Sequence, residues 1–199
     1  MPLFPVDSAS SHRFGEKARL SVNKAVFLDR DGVLNHLVDR GDTFRFGNKP
    51  IRWTAPFCLE ELQLKPFVQE ALELMEQKGY LRIMVTNQPD VATGNMDLRE
   101  FVKIMGVFRG FPFTALYACM HHPNAGCRCR KPLPGMLTDA QRIHQIDVSQ
   151  SYMAGDMETD VMAGKAAGVR TIRLSESGQE STQADHQFTN ILEVAQWLP

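Results

Sequence analysis

Residues 25–28 form an unbroken apolar run, and it ends abruptly in Asp29, Arg30, Asp31 and Gly32. The run is too short for a helix and has no polar alternation, so it reads as a strand covered on both faces, as in a parallel sheet. A pair of carboxylates at the end of such a strand must face solvent or be neutralised, because unpaired buried charge is costly. A solvated acidic turn satisfies that demand. So does a divalent cation at the carboxyl end of the strand, where open α/β sheets bind their ligands.

The rest of the chain repeats the pattern. Residues 80–85, 113–118, 151–154 and 169–174 read as further short strands. Amphipathic stretches at 66–78, 97–108, 134–145, 157–167 and 190–198 read as helices, with Gly79 and Gly168 as stops. Regular alternation of strand and helix implies one doubly wound parallel sheet in the α/β class. Residues 1–23 are polar, broken by Pro2, Pro5 and Gly15, and read as a mobile arm. Residues 24–199 then make a single domain. Residues 36–60 interrupt it with glycines, prolines and aromatics, which suits a small flap over the first strand end or a surface excursion with its own apolar cluster. The segment 175–186 reads as loop.

Bulk properties narrow the function. With 199 residues, 43% of them hydrophobic, the chain can bury one full core. A net charge of -1 gives no footprint for nucleic acid or a membrane surface, and no apolar run is long enough to span a bilayer. The expected partner is a small molecule, and the expected state a monomer. Cys119, Cys127 and Cys129 crowd around His121 and His122, whereas Cys58 stands apart. That is a zinc pattern rather than a disulfide framework, and it places the protein in the reducing cytoplasm. Three sulfurs and one imidazole close a tetrahedral structural site, with no open position for catalysis. Such an ion would fix the loop 119–131 and set Arg130 and Lys131 directly after its last ligand.

The strand ends, set side by side on one sheet edge, hold Asp29 and Asp31, then Thr86 and Asn87, then Gly155 and Asp156 with Asp160 close behind, and Lys131 lies after the third strand. This inventory suits phosphoryl transfer. A carboxylate can attack phosphorus, Mg²⁺ can screen two anions from each other, and a hydroxyl, an amide and a lysine can hold the equatorial oxygens. A second carboxylate can protonate the leaving oxygen and later deprotonate water.

Across roughly 24–174 these pieces, in this order, resemble the motifs of the haloacid dehalogenase (HAD) superfamily of phosphatases. The segment Cys-Met-His-His…Cys-Arg-Cys-Arg-Lys-Pro-Leu-Pro-Gly-Met is similar to that of the D-glycero-D-manno-heptose 1,7-bisphosphate phosphatases and the related histidinol-phosphate phosphatases. The resemblance implies a HAD-like Rossmannoid fold without a separate cap domain, closed by loops that include the zinc loop. It makes Asp29 the nucleophile and a Mg²⁺ ligand, and Asp31 the general acid/base with its main-chain carbonyl on the metal. Asp156 becomes the third Mg²⁺ ligand, Thr86 and Lys131 hold the phosphoryl group, and Asn87 and Arg130 meet substrate. Asp160 supports the metal's water shell or caps its helix. Zinc falls to Cys119, His121, Cys127 and Cys129, with His122 turned outward.

The implied activity is Mg²⁺-dependent hydrolysis of a small sugar phosphate through an aspartyl-phosphate, most like the heptose 1,7-bisphosphate 7-phosphatases. Histidinol phosphate or another small phosphomonoester is the alternative substrate. A zinc-stabilised module that binds phosphorylated ligands without turnover is the alternative of another class. The chain departs from the heptose pattern at 89–94, where Thr93 replaces an arginine, and at Met157, where many relatives carry lysine.

Overall fold

The computed structural model describes residues 22–46, 48–175 and 183–199. Its elements in chain order are β1 (Lys24–Leu28), β2 (Val38–Asp39), β3 (Arg45–Phe46), β4 (Lys49–Pro50), β5 (Trp53–Thr54), α1 (Val68–Gln77), β6 (Tyr80–Asn87), α2 (Asp90–Thr93), α3 (Leu98–Arg109), β7 (Ala115–Cys119), α4 (Gly135–His144), β8 (Tyr152–Gly155), α5 (Glu158–Ala166), β9 (Arg170–Leu174), β10 (His186–Phe188) and α6 (Ile191–Trp197).

Six strands form one sheet in the order β10-β9-β8-β1-β6-β7, and every pairing is parallel. β1 lies inside, with β6 on one flank and β8 on the other. The chain leaves β1 toward one side and returns to the other, so the crevice beyond its carboxyl end is the switch point where ligands bind in such sheets.

Strand alternation sorts β1 onto two cores. Val26 and Leu28 face a cluster with Val68, Leu72 and Met75 of α1, Phe101, Ile104 and Phe108 of α3, and Ile191 and Val194 of α6. Ala25 and Phe27 face the opposite cluster with Met136, Leu137 and Ala140 of α4 and Ala163 of α5. Each large apolar side chain so buried contributes roughly 1.5–3 kcal/mol, which is what anchors the helices to the sheet. Asp97 caps α3 by accepting from Arg99 N at 2.7 Å, and Asn190 caps α6 by accepting from Leu192 N and Glu193 N.

Two sequence readings need adjustment. α1 begins at Val68 rather than 66, because Phe67 takes a left-handed conformation (φ 65°) and the helix starts only beyond it. β10, an edge strand against β9, begins at His186, the last residue of the segment 175–186 read as loop, and there His186 and Phe188 pack on Trp197 at 4.3 and 5.4 Å between ring centres. Three residues without an apolar run leave no strand signal, and residues 176–182 of the loop segment lie outside the described residues. The arm falls mostly outside them too, although Asn23 is already tied down, donating to Gln145 O at 2.9 Å.

The interruption at 36–60 is neither a helix nor a plain loop. β2 pairs antiparallel with β5, and β3 with β4. Phe44 and Phe57 meet at 5.7 Å, and the Arg40 guanidinium sits 4.0 Å over the Phe57 ring.

Candidate active site and metal cluster

The carboxyl ends of β1, β6 and β8 bring the separated motifs together. Asp29 follows β1 directly, and its main-chain N–H donates to Ala154 O of β8 at 3.0 Å, which locks the turn to the neighbouring strand. Lys131 arrives from the other side of the sheet. Its ammonium lies 2.9 Å from Asp29 Oδ1 and 2.6 Å from Asp160 Oδ1, and it donates to Val85 O at 2.8 Å. Carboxylate oxygens of Asp29, Asp156 and Asp160 all lie within 4.8 Å of one another.

One buried cation does not balance these acids. Burial pushes Asp29 up to about 8, with Lys131 pulling against it and Asp160, Asp156 and Asp31 adding to it. Burial and the Asp160 charge raise Asp156 to about 6. Burial acts to lower the Lys131 pKa, but its pairs with Asp160 and Asp29 outweigh that and hold the ammonium above its ordinary range. Asp156 Oδ1 is buried with no hydrogen-bond partner. A hard divalent cation fits this donor set, since it takes carboxylate oxygens and supplies the missing charge.

Asp31, two positions on, points its carboxylate elsewhere. Arg30 holds it with Nη2 at 2.9 Å from both oxygens, Asn35 Nδ2 donates at 3.1 Å, and Gln88 Nε2 donates at 2.5 Å. Gln88 Nε2 also reaches Thr86 Oγ1 at 3.0 Å, so Thr86 and Asp31 share one amide. Arg30 and Thr86 are both fully buried. The structure therefore forms two adjoining groups, Asp29 with Lys131, Asp156 and Asp160, and Asp31 with Arg30, Asn35, Gln88 and Thr86.

Asn87 spends both ends of its amide on the main chain of Lys131, donating to its O and accepting from its N, each at 3.0 Å. Arg130 keeps a buried Nη1 with no partner. Asp160 does cap α5, accepting from Met157 N at 3.0 Å, yet it also sits within the carboxylate cluster. Sequence reasoning passed over Arg30, Asn35 and Gln88, although each adjoins a motif residue.

At the end of β7 the sulfurs converge. Cys119 Sγ lies 3.6 Å from Cys127 Sγ and 3.3 Å from Cys129 Sγ. His121 Nδ1 lies 3.6 Å from Cys119 Sγ and 3.2 Å from Cys129 Sγ. Four donors this close, mostly sulfur, suit a tetrahedral soft-ligand metal site. His122 instead accepts from Asn124 N at 3.2 Å, outside the cluster. The loop is tied to α4 by Gly135 N donating to Arg128 O at 3.1 Å, an approach so close that a Cβ at 135 would sit 2.3 Å from that oxygen.

Comparison with known proteins agrees with this geometry. A family described as HAD-hydrolase-like matches residues 128–194. The D-glycero-beta-D-manno-heptose-1,7-bisphosphate 7-phosphatase of Helicobacter pylori strain J99 is 29% identical over 90% of this chain and 99% of its own. The enzyme of that name from Photorhabdus laumondii is 33% identical over 84% of this chain and 88% of its own. A crystal structure of the D,D-heptose 1,7-bisphosphate phosphatase from B. bronchiseptica, complexed with magnesium and phosphate, matches with a TM-score of 0.70 at 25% identity, covering 87% of this chain and 96% of that one. With its strand-end acids, its buried lysine and these relatives, the chain belongs to the HAD-like phosphatases, in the family of the D-glycero-D-manno-heptose-1,7-bisphosphate 7-phosphatases.

Proposed function

We propose that the protein removes the 7-phosphate from D-glycero-D-manno-heptose 1,7-bisphosphate, with Asp29 as nucleophile. The observation that carries the reading is the Asp29–Lys131 contact of 2.9 Å at the sheet's switch point, with Asp31 two residues away. Residues 24–199 act as one domain, as a monomer, in the cytoplasm, where the thiol cluster stays reduced.

Asp29, Asp156 and Asp160 would hold Mg²⁺, with the main-chain carbonyl of Asp31 as a further donor. When bound, the ion offsets the charge of the nucleophile and of the phosphate oxygens. Lys131 and Thr86 orient the phosphoryl group for in-line approach. An Asp29 oxygen bonds to phosphorus as the bond to the sugar oxygen breaks, and Asp31 gives that oxygen its proton. Asp31, now ionised, takes a proton from water as the water attacks the aspartyl-phosphate, and inorganic phosphate leaves. Arg30, Asn35 and Gln88 hold the Asp31 carboxylate apart from the Asp29 cluster, and both of these proton transfers require it to swing back toward Asp29. Zinc at Cys119, His121, Cys127 and Cys129 would keep Arg130 and Lys131 in register.

The test is phosphate release from heptose 1,7-bisphosphate, heptose 7-phosphate and histidinol phosphate, with and without Mg²⁺. The highest kcat/KM should fall on the heptose bisphosphate. Asp29→Asn should lower kcat by about 10⁴-fold or more with the fold intact. Turnover retained in that variant refutes the nucleophile, and a preference for histidinol phosphate refutes the substrate.

A further inference from the structure

Asp90 opens α2, within the stretch 89–94 where the chain departs from the heptose pattern. The mechanism above does not use this carboxylate, yet the residue is only 8% exposed. It follows Gln88 by two positions, and Gln88 Nε2 donates to both Asp31 Oδ2 and Thr86 Oγ1. The turn after α2 holds it in place, with its main-chain carbonyl accepting from Asn95 N at 2.9 Å and from Met96 N at 3.1 Å. Its Oδ1 accepts from Asn95 Nδ2 at 3.2 Å. Its Oδ2 accepts from no described residue, and the carboxylate has no ion pair with a described cation.

A buried carboxylate with a single neutral donor is under-satisfied. Arg130 has the complementary lack. Its guanidinium donates to no described residue, and its Nη1 is buried without a partner. The two groups feel each other without touching. Burial lifts the Asp90 carboxyl above its usual range, the Asn95 amide pulls it down, Asp31 pushes it up, and the charges of Arg30 and Arg130 pull it down.

An unsatisfied acceptor and an unsatisfied donor, kept within electrostatic reach beside Asp31, match a group that both donates and accepts. A hydroxyl does both, whereas an ammonium only donates and an ionised phosphate oxygen only accepts. Two guanidiniums, Arg30 and Arg130, face two carboxylates, Asp31 and Asp90, so the formal charges of the four cancel and favour a neutral group over an ion.

We propose that Asp90 is a specificity-determining residue, whose Oδ2 accepts a hydrogen bond from a hydroxyl of the leaving group while the oxygen of that hydroxyl accepts from Arg130. The assignment rests on the phosphatase reading above, and it names the substrate class as esters of polyhydroxylated alcohols. Asp31 protonates the oxygen that leaves, and Asp90 adjoins Asp31, so the hydroxyl it reads lies close to the scissile bond. Sites built to hydrogen-bond a substrate hydroxyl reject analogues that lack it, because their own polar groups are then left unpaired.

The experiment measures kcat/KM for heptose 1,7-bisphosphate, and the inhibition constant of inorganic phosphate, in the full-length wild type, Asp90→Asn and Asn95→Ala, all with Mg²⁺. Inorganic phosphate takes the place of the reacting group and brings no leaving group. Asp90→Asn keeps an oxygen for Asn95 but loses the anionic acceptor, and kcat/KM should fall about 10–100-fold with phosphate inhibition unchanged. Asn95→Ala removes the brace and keeps the acceptor, and should leave both values within about threefold of the wild type. An Asp90→Asn enzyme with the wild-type kcat/KM overturns the proposal. So does a parallel loss of phosphate inhibition, or an Asn95→Ala enzyme as impaired as Asp90→Asn, since either makes Asp90 a brace for the turn. A wild-type preference for histidinol phosphate that Asp90→Asn abolishes overturns it too, because the carboxylate would then read an ammonium. A wild type that releases phosphate from none of these esters overturns the phosphatase reading, and this assignment with it.

Discussion

The side chain of Asn87 clasps the main chain of Lys131, with Nδ2 donating to Lys131 O and Oδ1 accepting from Lys131 N, both at 3.0 Å. One residue at the end of β6 thereby fixes the peptide that carries the buried ammonium across the strand ends. The two bonds contribute on the order of 1–3 kcal/mol together, but their larger role is geometric. Asn87→Ala should lower kcat by roughly 10–100-fold with a smaller change in KM, because Lys131 then loses its fixed reach to Asp29. Steady-state kinetics beside a melting curve separates this from simple unfolding. An Asn87→Ala enzyme with normal kcat would show that Lys131 is held by other contacts.

Gly32 marks the tightest approach in the reaction centre. Its φ is +79°, and a Cβ placed there would lie 2.0 Å from Asp156 Oδ2. Left-handed backbone costs a non-glycine residue about 1–2 kcal/mol, and the methyl group would also drive Asp156 out of the carboxylate cluster. Gly32→Ala should therefore lose activity by roughly 100-fold or more and weaken Mg²⁺ binding, as read by activity against metal concentration. If its metal dependence matched the wild type, Asp156 would not belong to the metal set.

The carboxylate cluster sets a pH dependence in the metal-free protein. Asp29 is raised from 3.8 to about 8 and Asp156 from 3.8 to about 6, in both cases chiefly by burial. The folded state therefore binds protons more tightly than the unfolded chain. That contribution to stability is fully present below about pH 4 and is lost as pH rises through about 6 for Asp156 and about 8 for Asp29. Mg²⁺ replaces those protons. In excess EDTA, Tm should fall between pH 5 and pH 8.5, and the rise in Tm on adding Mg²⁺ should be larger at pH 8.5 than at pH 5. A metal increment independent of pH would contradict the cluster's assignment.

Much of this was legible in the residues, for identifiable reasons. β1, β6 and β8 announce themselves because burial on both faces demands largely apolar runs, and the acids after β1 and β8 stand out against them. In the sequence Asp160 reads as a helix cap or water-shell residue, since its position places it only on the first turn of α5. That this turn packs under Lys131 depends on β8 lying beside β1, a tertiary fact. Arg30 looks like a solvated turn residue in the sequence. Its complete burial follows from the helices packed over it, with Met105 Sδ of α3 lying 3.8 Å from its Nη1. The hairpins within 36–60 carry no periodic signal because each strand is only two residues long.

The cysteine cluster makes a separate prediction. In the metal-free loop, burial and the neighbouring sulfurs push the Cys129 thiol up to about 12, so it stays protonated at neutral pH. The four donors satisfy one another only weakly, at 3.2–3.6 Å. Zinc would convert the set into a closed site and tie β7 to the loop that delivers Lys131. The purified protein should carry about one zinc per chain, and release should steepen as pH falls, because protons compete for the thiolates. Cys129→Ser should lose the metal and lower Tm by roughly 5–10 °C, whereas Asp29→Asn should keep it. Elemental analysis of both variants alongside their melting curves decides the matter. A Cys129→Ser protein that retained zinc would show that Cys129 is not a ligand, and one that lost zinc but kept its melting point would show that the loop is held by its hydrogen bonds, such as that from Gly135 N to Arg128 O at 3.1 Å.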